Sequence, residues 1–113
     1  MRKVTGTILF PSNANVMYGH AARISVLDIS ESDAPSQELA STEVENVDVT
    51  PGGFMRFEVE APETDPSRML TVRVHVHPAG ADRVASGDLI TTAVCPVPPE
   101  GDSPPIDVPL TQI

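Results

Sequence analysis

Proline and glycine interrupt this chain so often that only short segments can be regular. Twelve prolines and seven glycines are spread over 113 residues. That punctuation is the spacing expected between strands, and no strong helix is read among the segments. Between the breaks, apolar and polar residues alternate with a period of two, which is the signature of half-buried strands.

The segments can be read in order. Lys3–Phe10 alternates Val4, Gly6, Ile8 and Phe10 against Thr5 and Thr7, and ends at Pro11. His20–Ser30 sets Ala22, Ile24 and Val26 against Arg23 and Ser25, then slips in phase to Leu27 and Ile29. Such a slip predicts a β-bulge or a change of partner strand. Glu38–Val49 is the weakest strand, since Leu39-Ala40 could equally begin a helical turn. Pro51-Gly52-Gly53 is a turn, with glycines free to take positive φ. Phe54–Ala61 and Met69–His77 alternate cleanly. In the latter, Leu70, Val72, Val74 and Val76 oppose Thr71, Arg73, His75 and His77. Leu89–Val97 is apolar and β-branched. Ile106–Ile113 contains Pro109, which predicts a sheet edge because proline cannot donate to a ladder.

Seven segments, turn signals between them and no βαβ pattern predict an all-β fold. The expected architecture is a seven- to eight-stranded antiparallel β-sandwich, immunoglobulin-like or Greek-key, formed by residues 1–113 as a single domain. Only three Phe and one Tyr are present, with no Trp, so the core must rest on Val, Ile, Leu and Met. The net charge of −9 repels phosphate backbones, and few aromatics are available for base stacking, which argues against nucleic acid. No apolar run approaches the roughly 20 residues of a membrane span. Arg2-Lys3 precedes a run too short and polar for a secretory signal core. As written the chain reads as unprocessed and cytoplasmic; if Met1 replaces a removed signal, it reads as periplasmic or outer-membrane-associated.

Three motifs carry a resemblance to a known family: Val4-x-Gly6-x-Ile8; Val26-x-Asp28-Ile29-Ser30-x-x-Asp33-Ala34-Pro35 with Leu39-Ala40 behind it; and Gly87-Asp88-Leu89-Ile90-Thr91 closing on Pro96-Val97. Together with Phe57 and the Leu70–Val76 strand they resemble the YbaY/YscW-like bacterial lipoproteins, which include type III secretion pilot proteins. The resemblance implies a seven- to eight-stranded sandwich, an outer-membrane anchor on a lipidated N-terminal cysteine, and in some members chaperoning of a secretin. It implies no catalytic residues. The single cysteine of this chain is Cys95, so the anchor is not carried over.

The residues themselves offer few reactive arrangements. His75-x-His77 has metal-like spacing, because both imidazoles project from one strand face, and His20 or Met17 would complete a site only if the second segment paired alongside. Arg73 shares that face, and a solvated strand face is the plainer reading. Cys95 lies between Val94 and Pro96, which supply no base or positive field, so it reads as a small buried hydrophobe. Ser30, Ser32 and Ser36 lie near Asp28 and Asp33 without a positioned base, and read as hydrogen-bonded turns. Arg56, Glu58 and Glu60 form a charged strand face, and Pro51-Gly52-Gly53 lacks the helix start and Lys of a phosphate cradle.

No catalytic, cofactor-binding or metal role is therefore assigned to any residue. The expected function is a non-enzymatic protein-binding sandwich, an envelope chaperone or assembly factor with a protein partner. The alternative is a small metal-binding accessory domain using His75 and His77. Self-association through an edge strand is a third reading.

Overall fold

The computed structural model describes every residue except Ser32, Asp82 and Ser103. Nine strands occur among the described residues: β1 (Arg2–Leu9), β2 (Met17–Asp28), β3 (Gln37–Val49), β4 (Phe54–Ala61), β5 (Leu70–Pro78), β6 (Leu89–Ile90), β7 (Pro96–Val97), β8 (Ile106–Pro109) and β9 (Thr111–Gln112). They form two packed sheets. One has the order β4-β1-β8; the other runs β3-β2-β5-β6-β9, with β7 also paired to β5. The fold is an all-β sandwich. Among the described residues no helix is long and apolar enough to cross a membrane.

The core is the inward half of each alternation. Val4 and Ile8 of β1, Ile24 and Val26 of β2, Val72, Val74 and Val76 of β5, and Val108 of β8 are fully or almost fully buried. These are β-branched residues whose single preferred rotamers fill a pleated surface well. The scarcity of aromatics is thus met by many medium-sized side chains.

The strand count exceeds the seven segments of the sequence because the last two segments each divide. Within 89–97, Thr91 bonds Val74 through both its amide and its hydroxyl. Cys95 then rejoins the sheet, its amide donating to Thr71 Oγ1 at 2.9 Å. The chain between arches off β5. Within 106–113, β8 joins the smaller sheet and β9 the larger, so the chain changes sheets at the buried Leu110. β8 is an edge strand, as Pro109 predicts. It is also the one departure from antiparallel pairing among the described strands, running parallel to β1 from Gly6↔Ile106 to Leu9↔Pro109. Parallel neighbours need a long connection, and here the rest of the sandwich supplies it. The contact is close: a Cβ on Gly6 would overlap the Ile106 carbonyl oxygen and press on the Phe57 ring.

The predicted irregularity between Val26 and Leu27 is present, and its position in the fold is informative. The β2–β5 register is unbroken from His20 to Asp28, whereas the β2–β3 register shifts at that step. The extra residue is Leu39, in β3. Two further shifts fall at Gly19 and Asn46, both with positive φ. Asn46 changes which residues of β3 face inward, from Ala40, Thr42 and Val44 to Val47 and Val49. Leu27 itself stays on the outer face and is buried there, lining a depression with Val84.

Candidate functional site

The histidine pair is placed differently from its sequence reading. His75 and His77 do share the outer face of β5, with ring centroids 4.7 Å apart. That face is not solvated at these positions, because the chain after β5 folds back over it. His77 is 3% exposed, and its Nδ1 donates to the Pro78 carbonyl while Nε2 lies 3.6 Å from Glu43 Oε1. His75 Nε2 donates to Asp88 Oδ2 at 2.7 Å, and the same oxygen accepts the Ala85 amide. The buried Asp88 therefore ties Ala85 to His75 on the sheet.

The proposed completing ligands lie elsewhere. β2 does pair with β5, but the outer-face partners of His75 and His77 are Arg23 and Ala21. His20 pairs with Pro78, one position out of phase, and donates from Nδ1 to the Tyr18 carbonyl. Met17 packs against the core. No group of three or more His, Cys, Asp or Glu is arranged to hold a metal ion among the described residues.

At the head of the serine-rich run, Asp28 and Ser30 form the kind of hydrogen-bonded turn that the composition predicts. Asp28 Oδ1 accepts both the amide (2.9 Å) and the hydroxyl (2.6 Å) of Ser30, and Ser30 Oγ in turn accepts the Met69 amide. Arg68 Nε donates to Asp28 Oδ2 at 2.7 Å. That bond, followed by the two from Ser30, holds the Asp28 carboxyl down to about 2. Asp65 and Ser67 repeat the arrangement, and the Ser67 amide and hydroxyl lower the Asp65 pKa. Ser30 thus faces a carboxylate already engaged by an arginine rather than a free base. Ser32 lies outside the described residues. Cys95 is buried between β6 and β7, where burial pushes its thiol pKa up, contrary to what a nucleophile needs. Arg56, Glu58 and Glu60 are exposed, with Lys3 3.9 Å from Glu58. Pro51–Gly53 is a tight turn whose Gly52 amide donates to Pro11.

Sequence reasoning missed two partners, Asp88 for His75 and Arg68 for Asp28. It also missed Arg2, which is buried and donates through Nη1 to the carbonyls of Pro98 and Gly101. All three pairings join distant parts of the chain, so no local pattern marks them.

What remains is an edge. β3, the weakest strand by sequence, is the longest of the described strands and pairs only with β2. One row of its backbone donors and acceptors therefore faces outward. Between Leu39 and Asn46 the strand is regular, with Ala40, Thr42 and Val44 half-buried toward the core and Ser41, Glu43 and Glu45 exposed on the outer face. Beside it the outer face holds a depression lined by Arg23, Glu43, Glu45, His75 and His77. β4 runs along the same flank of the sandwich, joined to β3 by the 50–53 turn and packed against it.

No family model and no curated protein matches the chain. Its fold is similar to that of an alternative pilotin from the type II secretion system of Vibrio cholerae, with a TM-score of 0.71 at 18% sequence identity. The match covers 99% of this chain and 98% of that one. At that identity the likeness is one of fold, and the chain has a pilotin-like sandwich.

Proposed function

We propose that the chain is a non-enzymatic protein-binding sandwich that assists assembly of a machine in the bacterial envelope. The observation that carries this reading is the likeness in fold to a secretion-system pilotin over the full length of both chains. The resemblance of the Val26–Pro35 motif to YbaY/YscW-like lipoproteins points the same way. Within the site itself, the polar groups capable of chemistry are engaged in holding loops: Asp28 by Arg68 and Ser30, Asp88 by His75 and Ala85. The regular, unpaired edge of β3 offers backbone groups to a partner instead, and strand addition is a common use of such an edge.

The test is capture by the full chain under native conditions from an envelope fraction of a cell that expresses it. Reproducible retention of an envelope assembly component is expected. Repeated capture of nothing above background would overturn the reading.

A further inference from the structure

Of the free edges on this flank, β3 has something to gain from an added strand. Most inward residues of β4 are already sealed: Phe57, Val59 and Ala61 are 6%, 2% and 0% exposed, and only Met55 at the start of the strand is half-buried. A strand beside β4 would remove little more apolar surface from water. Ala40, Thr42 and Val44 of β3 are only half-buried, although Ala40 and Val44 pack against the core. Covering them would add hydrophobic stabilisation to the backbone hydrogen bonds. The regular window is bounded by register shifts at Leu39 and Asn46, which bend the strand and end straight pairing.

Charge restricts what can lie there. Glu43 and Glu45 both project from the outer face of the window, and no cation contacts Glu45 among the described residues. Among the described residues Glu43 is met by His77 at 3.6 Å, and Arg23 stands opposite it on β2. The single arginine nearby on β2, Arg23, is engaged by Glu38 at 3.0 Å. A second copy of β3 would set these carboxylates against their own counterparts, and like charges across a strand pair are destabilising.

Resting on the protein-binding reading above, we infer that the Ala40–Glu45 window of β3 accepts an extended segment of a different protein, with apolar side chains facing inward and Lys or Arg facing outward. The inward side chains cover Ala40, Thr42 and Val44. The outward cations pair with Glu43 and Glu45, so binding weakens with salt.

The test uses the full chain and three blocked peptides of about nine residues, a typical strand length with a margin. One alternates Val and Lys, one alternates Val and Glu, and one has the composition of the first with all Val preceding all Lys. Hydrogen exchange at Ala40–Glu45 should slow about tenfold or more with the alternating Val/Lys peptide, and should be unaffected by the other two. The E43K/E45K variant should prefer the Val/Glu peptide. Protection appearing at β4 or elsewhere instead, equal protection by the block peptide, or unchanged preference in E43K/E45K would each overturn the inference. A β3-paired dimer of the free chain in light scattering with exchange mapping would also overturn it. If a native partner is captured equally well by E43K/E45K, strand addition at β3 fails while the protein-binding reading stands; if nothing is captured, that reading itself fails.

Discussion

The two flanks of this sandwich are built in opposite ways. On one, β8 and β9 are consecutive pieces of a single segment that joins both sheets, with Leu110 buried at the crossing. Pro104 and Pro105 precede β8 and Pro109 ends it, so few amides are left to recruit another strand. On the other flank, β3 and β4 end their sheets and are joined by the 50–53 turn, and β3 keeps half-buried residues toward the core. The first flank spends its sequence on closure. The second leaves a regular edge guarded by acids and bulges, which deter random pairing without removing the backbone groups that a matched partner needs.

Substitutions can break this contrast or sharpen it. The largest effect should come from Leu110→Ala on the closed flank, which removes a buried side chain where the sheets are joined. A loss of about 2–5 kcal/mol is expected from urea unfolding; a loss as small as that at the open edge would erase the distinction. Gly6→Ala drives a Cβ into the Ile106 carbonyl and should cost about 1–3 kcal/mol, with exchange rising first in β8.

Acid should loosen the anchor of the β2–β3 loop. The Asp28 pKa in the folded chain, about 2, lies below its ordinary 3.8. The folded state therefore binds this proton less readily than the unfolded one. The stabilisation is complete above about pH 4 and is lost as pH falls toward 2. Asp28→Asn should flatten that part of the stability-against-pH curve, as read from thermal midpoints between pH 5 and 2. On the open flank Val44→Ala should cost only about 1 kcal/mol, since the side chain is half-buried. Glu45→Gln should change stability by less than about 0.5 kcal/mol, because it breaks no described contact. A large loss from either would mean that the edge supports the fold rather than a partner.

Much of the scaffold was legible because alternation is a local signal. Phe54–Ala61 is bounded as its sequence suggests, Pro109 marks an edge, and the Asp28–Ser30 turn follows from side chains two residues apart. The disturbance at Val26–Leu27 was visible in β2, but its cause lies in the extra residue Leu39 of the neighbouring strand. β3 itself was obscured by the features that define it: insertions at Leu39 and Asn46 break its period, so a regular strand reads as two ambiguous halves. The histidines show the other limit. Alternation puts His77 on the outer face correctly, but only the loop held by Asp88 decides that this face is covered. Such coverage depends on a fold-back that no window of sequence contains.

The parallel pairing of Gly6 with Ile106 also has a consequence for time. The central strand of the smaller sheet finds its second neighbour about a hundred residues away along the chain. Bringing such distant segments together must be entropically repaid before the contact gains anything, which makes folding slow for topologies of this kind. Until residues 106–112 arrive, β1 lacks one neighbour and β6 lacks its outer one. A growing or unfolded chain would then expose unpaired β1 and β6 on that flank, and the late segment would act as the latch that covers them.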